Sequence, residues 1–295
     1  VGETRPEIER AVGDGRAFGL KVTYIDQAEP LGLAHAVRVA EPYLKRTPFV
    51  MYLGDNLIKD GIRPFVDQFR RDRPHAQILL AHVPHPEQFG VAELKNGKVV
   101  RLVEKPKRPK SDLALVGVYM FDHHIFESVK RIRPSRRNEY EITDAIQDLV
   151  EHGRTVRPHI IGGWWKDTGR LEDLLEANRL ILETQPRRLE GVVDRKSRIE
   201  GGVGVARGAK IINSVIRGPA VIGERTILRD AYVGPFTAVY HDVVLERCEI
   251  EHSIVLEHSR VTDVKRIVDS LIGQRVEVKR SEARPHAYRL MVGDS

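Results

Sequence analysis

Residues 202–239 read GVGVARGAKIINSVIRGPAVIGERTILRDAYVGPFTAV, and their spacing decides the C-terminal fold. Val203, Ala209, Val215, Val221, Ile227, Val233 and Val239 follow one another at intervals of six residues. Glycines fill the gaps at Gly202, Gly204, Gly208, Gly218, Gly223 and Gly234. Neither an amphipathic helix nor a half-buried strand has that period. A six-residue repeat of small aliphatics marks a parallel β-helix, each side of the prism turning one aliphatic inward. Beyond Leu245 the register loosens, with Ile250, Leu256, Val261 and Ile267 as the continuing positions. An irregular β-sandwich is the alternative for so Val-rich a stretch.

Upstream of the repeat, Pro186-Arg187-Arg188 reads as a linker. Two domains follow, residues 1–185 and residues 186–295. Between Leu20 and Glu183 apolar runs alternate with helical stretches. Strands are expected at Leu20–Ile25, Phe49–Leu53, Ile78–Val83, Val99–Val103, Leu115–Phe121 and Thr155–Ile161. Helices are expected at Leu33–Leu44, Ile62–Arg71, His124–Ile132, Thr143–His152 and Leu171–Leu182. The alternation predicts an α/β domain with a Rossmann-like, mixed but mainly parallel sheet. Asn96-Gly97 predicts one inserted hairpin with a tight turn. Ligands of such sheets bind at the carboxyl ends of the strands, so the loops there carry the chemistry. Thr4 and Glu7 form a capping-box pattern for a first helix. A chain opening at Val1 in mid-unit is expected to lack an upstream segment.

Composition narrows the class. With 41% hydrophobic and 31% charged residues the chain has the balance of a soluble globular protein. No apolar run approaches the roughly 18–20 residues that span a bilayer, so no membrane partner is expected. Cys248 is the single cysteine, which rules out an internal disulfide and a zinc–cysteine cluster and fits a reducing cytoplasm. The net charge of +6 comes from basic residues scattered among 42 acidic ones, without zinc-finger spacing or an aromatic RNA-binding signature. Nucleic acid is therefore not an expected partner.

Five loops stand out. Gln27 to Ala36 brings a base-edge donor and acceptor, Gln27, to a helix opened by Gly32, whose backbone N–H groups suit an anion or polar ligand. Leu53-Gly54-Asp55-Asn56 sets a carboxylate at a strand end, where a hard cation can be held against phosphate, or where Asp is only a turn residue. Glu104-Lys105-Pro106 offers a hydroxyl acceptor and a phosphate cation. In a continuous strand their side chains point oppositely, so only a bend lets both face one pocket. Glu139-Tyr140-Glu141-Ile142-Thr143-Asp144 opens a helix, and Gly163 to Gly169 sets Asp167 beside Trp164 and Trp165.

Taken in order, these loops resemble the nucleotide-sugar pyrophosphorylase family of nucleotidyltransferases. Gln27 with Leu31-Gly32-Leu33-Ala34 is similar to its base-recognition loop, and Leu53-Gly54-Asp55-Asn56 to its first metal-aspartate loop. Phe89-Gly90-Val91, Glu104-Lys105-Pro106 and Glu139 with Glu141-Ile142-Thr143-Asp144 resemble its sugar and sugar-phosphate segments. Trp165 to Gly169 resembles the motif of its second metal aspartate. The likeness is nearest to the branch that carries a C-terminal left-handed β-helix and uses dTTP and glucose 1-phosphate.

The resemblance implies a nucleoside triphosphate and a sugar 1-phosphate as partners and Mg²⁺ held by Asp55 and Asp167. It implies Lys105 on the sugar phosphate, Gly90, Glu104, Glu139 and Trp165 on the sugar side, and Gln27 and Gly32 on the base. Asp55, Lys105 and Asp167 are then the catalytic set. Flat prism faces stack well, so a homo-oligomer is expected. The family's Gly-rich, Arg-containing loop and the Lys-Pro segment after it have no match here, which implies that about sixty residues including a first strand are lacking. A uridylyltransferase, a non-catalytic regulator, or a hexapeptide acyltransferase using His241, His252 or His258 are the alternatives.

Overall fold

The computed structural model describes residues 1–280, and it divides into two compact units, Val1–Asp167 and a second beginning at Thr168. The last part of the expected β-helix, residues 281–295, lies outside the described residues.

The first unit is a six-stranded sheet with helices on both faces. Its strands are Phe49–Tyr52, Ala76–His82, Gly90–Lys95, Lys98–Glu104, Leu113–Phe121 and Val156–Ile160. Leu113–Phe121 is buried along its whole length, as a continuous apolar run requires. Its alternate residues feed two cores. Leu113, Leu115, Tyr119 and Phe121 join the helices Leu33–Leu44, Ile125–Arg131 and Ile142–Glu151 on one face. Val116, Val118 and Met120 meet Phe65, Val66 and Phe69 of the helix Arg63–Asp72 on the other.

The sheet is mixed, and parallel pairing is narrower than expected. Ala76–His82 pairs parallel with Val156–Ile160, whereas Leu113–Phe121 runs antiparallel to Phe49–Tyr52, Ala76–His82 and Gly90–Lys95. The hairpin Gly90–Glu104 inserts before Leu113–Phe121 and reverses the chain, so that strand enters the sheet centre from the opposite end. Its turn is the expected one, with Asn96 and Gly97 at φ 52° and 72°. Leu20–Ile25 is not a strand. Its apolar residues have the strand pattern, but among the described residues no neighbouring strand pairs with it. The helix Arg5–Val12 starts after Thr4, yet Thr4 makes no side-chain cap. Pro6 in the first turn removes one of the N–H groups a cap would satisfy.

The second unit opens with the helix Leu171–Leu182, where Asn178 donates to the Phe236 carbonyl at 2.9 Å. Among the described residues it continues as a parallel β-helix with three faces of six, five and six strands. The strict six-residue period needs correction. Val203 pairs with Ala220, Lys210 with Ile227 and Arg198 with Val215, so these coils take seventeen residues, while Ala238 with Ile254 and Val244 with Arg260 mark a coil of sixteen. The inward series is Val205, Ile211, Ile216, Ile222, Leu228, Val233 and Val239, all at most 2% exposed. One side of each seventeen-residue coil in this series is thus turned in five residues, and Val215, Val221 and Ile227 are left half-buried beside Ile216, Ile222 and Leu228. Past Leu245 the inward residue is Val255, not Leu256.

Buried hydroxyls tie successive coils. Thr226 donates to Tyr240 and accepts from Val243, and Ser259 donates to Gly273 and accepts from Val276. Cys248 points into this core, and burial pushes its thiol up to about 11. It is structural rather than reactive.

Candidate functional site

A two-stranded antiparallel ladder outside the main sheet brings the two predicted aspartates together. Asn56–Ile58 pairs with Trp165–Asp167, with Asn56 opposite Asp167 and Ile58 opposite Trp165. Asp55 lies in the turn directly before Asn56, so its backbone adjoins the residue paired with Asp167 although 112 residues separate the two aspartates (167 minus 55). Asp55 is exposed and Asp167 half-buried. Asn56 is only 3% exposed, and its side chain links Asp55, Gly117 and Trp165. Trp165 packs edge-on against Phe89 at 5.4 Å.

The sugar-side residues continue from Phe89. Gly90 stands opposite Glu104 in the hairpin, and a Cβ on Gly90 would lie 2.6 Å from Thr143 and 3.0 Å from the Glu104 carboxylate. Only glycine therefore lets Thr143 donate to Glu104 Oε2 at 2.8 Å. Lys105 supplies the bend that the sequence demanded. It has φ 40°, a left-handed conformation unfavourable for lysine, and its N–H is held by the Phe89 carbonyl at 3.0 Å. The strand therefore ends at Glu104, and Lys105 turns out of it rather than Pro106.

Burial pushes the Glu104 carboxyl above its ordinary range. Thr143 opposes this, Glu141 adds to it, and Lys105 and Arg137 oppose it. The Tyr119 phenol, buried beneath the site, is pushed up by desolvation and then by the charges of Glu104 and Asp167. Asp167 and Glu104, at the ends of two strands, thus act on a common buried group.

Arg137 was not picked out by the motif pattern. Its guanidinium lies 2.8 Å from Glu139, 3.5 Å from Glu104 and 3.7 Å from the buried Glu141. It is the cation of the Glu104–Glu139–Glu141 group and a bidentate donor by nature, suited to a phosphate. The signal was present in Arg136-Arg137-Asn138, but only the fold shows which arginine faces the acids.

The predicted base loop is braced by that same segment. Tyr140 N–H donates to Leu31 at 2.7 Å and Ala34 N–H donates to Tyr140 at 3.0 Å. Gly32 has φ 96° and caps the helix Leu33–Leu44, and a Cβ there would meet the Tyr140 carbonyl at 2.7 Å. Gln27 Nε2 lies 3.2 Å from the Gly32 carbonyl and 3.1 Å from His35 Nδ1. His35 stacks on Tyr140 at 6.3 Å. Bonds and packing contacts so join two groups of predicted residues. One runs Asp55–Asn56–Trp165–Phe89–Gly90–Glu104, and the other runs Glu104–Arg137–Glu139–Tyr140–Gly32–Gln27.

The donor set fits a hard divalent ion. Asp55 and Asp167 offer carboxylate oxygens and the ladder holds no thiolate or imidazole, which suits Mg²⁺ rather than zinc. Two other side-chain groups have metal-like spacing, His75–Asp122–His124 and His241–Asp242–His258. In the first, His75 Nδ1 accepts the Thr155 N–H at 3.0 Å, which places the ring proton on Nε2 and removes it as a ligand. In the second, Arg225 holds both Asp242 oxygens. His252 is paired with Asp269.

A Rossmann-like sheet with a Gly-opened helix and polar loops at its strand ends is a fold that takes nucleotide-type ligands at the carboxyl ends of its strands. The chain belongs to the nucleotidyl transferase family, whose model matches residues 2–184. It is 51% identical to a glucose-1-phosphate thymidylyltransferase of Streptomyces griseus, over all of this chain and 83% of that protein. It is 52% identical to the protein of the same name from Streptomyces antibioticus, again over all of this chain and 83% of the relative. A Bacillus anthracis protein described as a glucose-1-phosphate thymidylyltransferase, crystallised with sucrose, matches with a TM-score of 0.56 and 37% identity. That match covers 60% of this chain and 71% of the other.

Proposed function

We propose that the protein transfers a thymidylyl group from dTTP to glucose 1-phosphate, giving dTDP-glucose and pyrophosphate. The observation that supports the chemistry is the ladder that pairs Asn56, the residue after Asp55, with Asp167. The substrates are supported by two relatives of that name at about half identity over the whole chain.

In this reading an oxygen of the sugar phosphate attacks the α-phosphorus, the bond to the bridging oxygen breaks, and pyrophosphate leaves. The protein's task is alignment and charge neutralisation. Asp55 and Asp167 would hold Mg²⁺, which supplies positive charge at the α-phosphate when bound. Lys105 and Arg137 hold the sugar phosphate. Glu104 and Glu139 accept sugar hydroxyls, Gly90 leaves room for the ring, and Trp165 walls the site. Gln27 reads the base, and the helix N-terminus at Gly32 presents N–H groups to the nucleotide.

The family match ending at 184 supports a catalytic domain of residues 1–185, with the β-helix beginning after it. We place the protein in the cytoplasm and assign the β-helix to contacts between copies. A chain ending near Pro186 then elutes as a smaller assembly, and an unchanged assembly state excludes that role. The function is tested by a pyrophosphate-release screen of the full-length protein against each nucleoside triphosphate and several sugar 1-phosphates. The reading expects the highest kcat/KM for dTTP with glucose 1-phosphate. Preference for UTP redirects it to uridylyl transfer, and no turnover with any pair leaves a binding regulator.

A further inference from the structure

We propose that Asn56 is a positioning residue that fixes the Asp55 carboxylate for cation binding; this rests on the reading of Asp55 as a metal ligand. The Asn56 side chain is buried, and every bond it makes bears on its orientation. Oδ1 accepts two donors that cannot act as acceptors, the Gly117 backbone N–H at 3.2 Å and the Trp165 Nε1–H at 2.6 Å. Those two bonds decide which end of the amide is oxygen. The other end must then be NH₂, and it donates to Asp55 Oδ1 at 2.8 Å. The amide cannot flip without setting its NH₂ against two N–H groups in a buried site.

The backbone of Asn56 is held as firmly. Its N–H donates to Leu53 at 3.1 Å, and its carbonyl accepts from the Tyr52 hydroxyl at 2.9 Å. Gly117 completes the fit, because a Cβ there would stand 2.6 Å from Nδ2 and 2.8 Å from Cγ of Asn56. The central strand thus gives up a side chain so that the amide can lie against it.

A carboxylate needs a fixed donor to hold one rotamer, and the buried amide is such a donor. The Asn56 amide selects one and references it to Leu113–Phe121 and to the strand Trp165–Asp167, which carries the second aspartate. Asn56 touches no substrate in this account and acts through Asp55. Outer-shell partners of metal ligands contribute on the order of 10- to 100-fold in metal affinity or activity.

The test is a double-mutant cycle on the full-length protein with Asn56→Ala, Asp55→Ala and the double variant. Binding of Mn²⁺ alone is read from the free-ion electron paramagnetic resonance signal, alongside kcat and melting temperature. The expected result is Mn²⁺ affinity and kcat reduced about 10-fold or more by Asn56→Ala in the native background. In the Asp55→Ala background the same change should alter neither, while still lowering the melting temperature. Native Mn²⁺ affinity in Asn56→Ala, with Asp55→Ala impaired, overturns the proposal and leaves the metal reading intact. An equal loss in both backgrounds shows a merely structural asparagine and also overturns it. Native affinity in Asp55→Ala removes the metal reading and the proposal together. If Asn56→Ala does not fold, Gly117→Ala displaces the amide from the strand side and should lower Mn²⁺ affinity in the native background only.

Discussion

Replacing Gly32 with alanine probes the joint between the base loop and the sugar segment. Gly32 has φ 96° and ψ 175°, a conformation essentially reserved for glycine, and holding alanine there costs about 1–3 kcal/mol. The added methyl would lie 2.7 Å from the Tyr140 carbonyl and 3.0 Å from its nitrogen, so one strand of the joint must withdraw. Withdrawal breaks the bonds Tyr140 N–H to Leu31 and Ala34 N–H to Tyr140, worth about 1 kcal/mol each. The combined loss is about 4 kcal/mol, or roughly 8–16 °C in melting temperature for a domain of this size. Gly61→Ala is the matched control: its φ is 68° but nothing lies within 4 Å of its Cβ, so only about 1 kcal/mol of backbone strain is expected. Thermal melts and initial-rate kinetics check both variants. Gly32→Ala should raise KM for the nucleotide and for the sugar phosphate together, because one displacement moves Gln27 and Glu139. A melting temperature no lower than that of Gly61→Ala, or a KM change for one substrate alone, would refute the coupling.

Three further variants test electrostatics and register. Burial raises the Glu104 carboxyl above its ordinary value, so between the two values the folded protein keeps a proton that the unfolded chain has released. Stability therefore falls as pH rises through that window. Glu104→Gln should melt higher than the native protein at pH 7, with the gap closing below the ordinary glutamate range and turnover reduced throughout; a gap independent of pH would contradict this. In the β-helix, Ile216→Ala should cost about 3 kcal/mol and Val215→Ala less than about 1 kcal/mol by denaturant melts. The reverse order would restore the strict six-residue register.

Much of the architecture was legible because it follows from local chemistry. Gly32 before a periodic apolar run gave the helix Leu33–Leu44, Asn96-Gly97 gave the hairpin turn, and repeated aliphatics with glycines gave the β-helix. What escaped depended on partners distant in sequence. Leu20–Ile25 has strand composition, but a strand exists only against a neighbour. The five-residue side of each coil was hidden because adjacent pairs such as Val215-Ile216 and Val221-Ile222 are both aliphatic, so the inward member is decided by closure of the coil. Arg137 gained its meaning from three acids on two segments, and Asn56 from Trp165 together with Gly117, which no motif singles out. The loops bearing Gln27, Gly90, Glu104, Lys105 and Glu139 were legible in order, and the fold supplies the contacts that join them.

The central claim is that Asp55 and Asp167 share one catalytic cation. It is met most directly by the rate of pyrophosphate release from dTTP and glucose 1-phosphate by Asp167→Asn, with Mg²⁺ saturating for the native protein. The account predicts a fall of at least about 100-fold with a melting temperature nearly unchanged, since the substitution keeps shape and removes one charged ligand. Near-native turnover by that variant would contradict it.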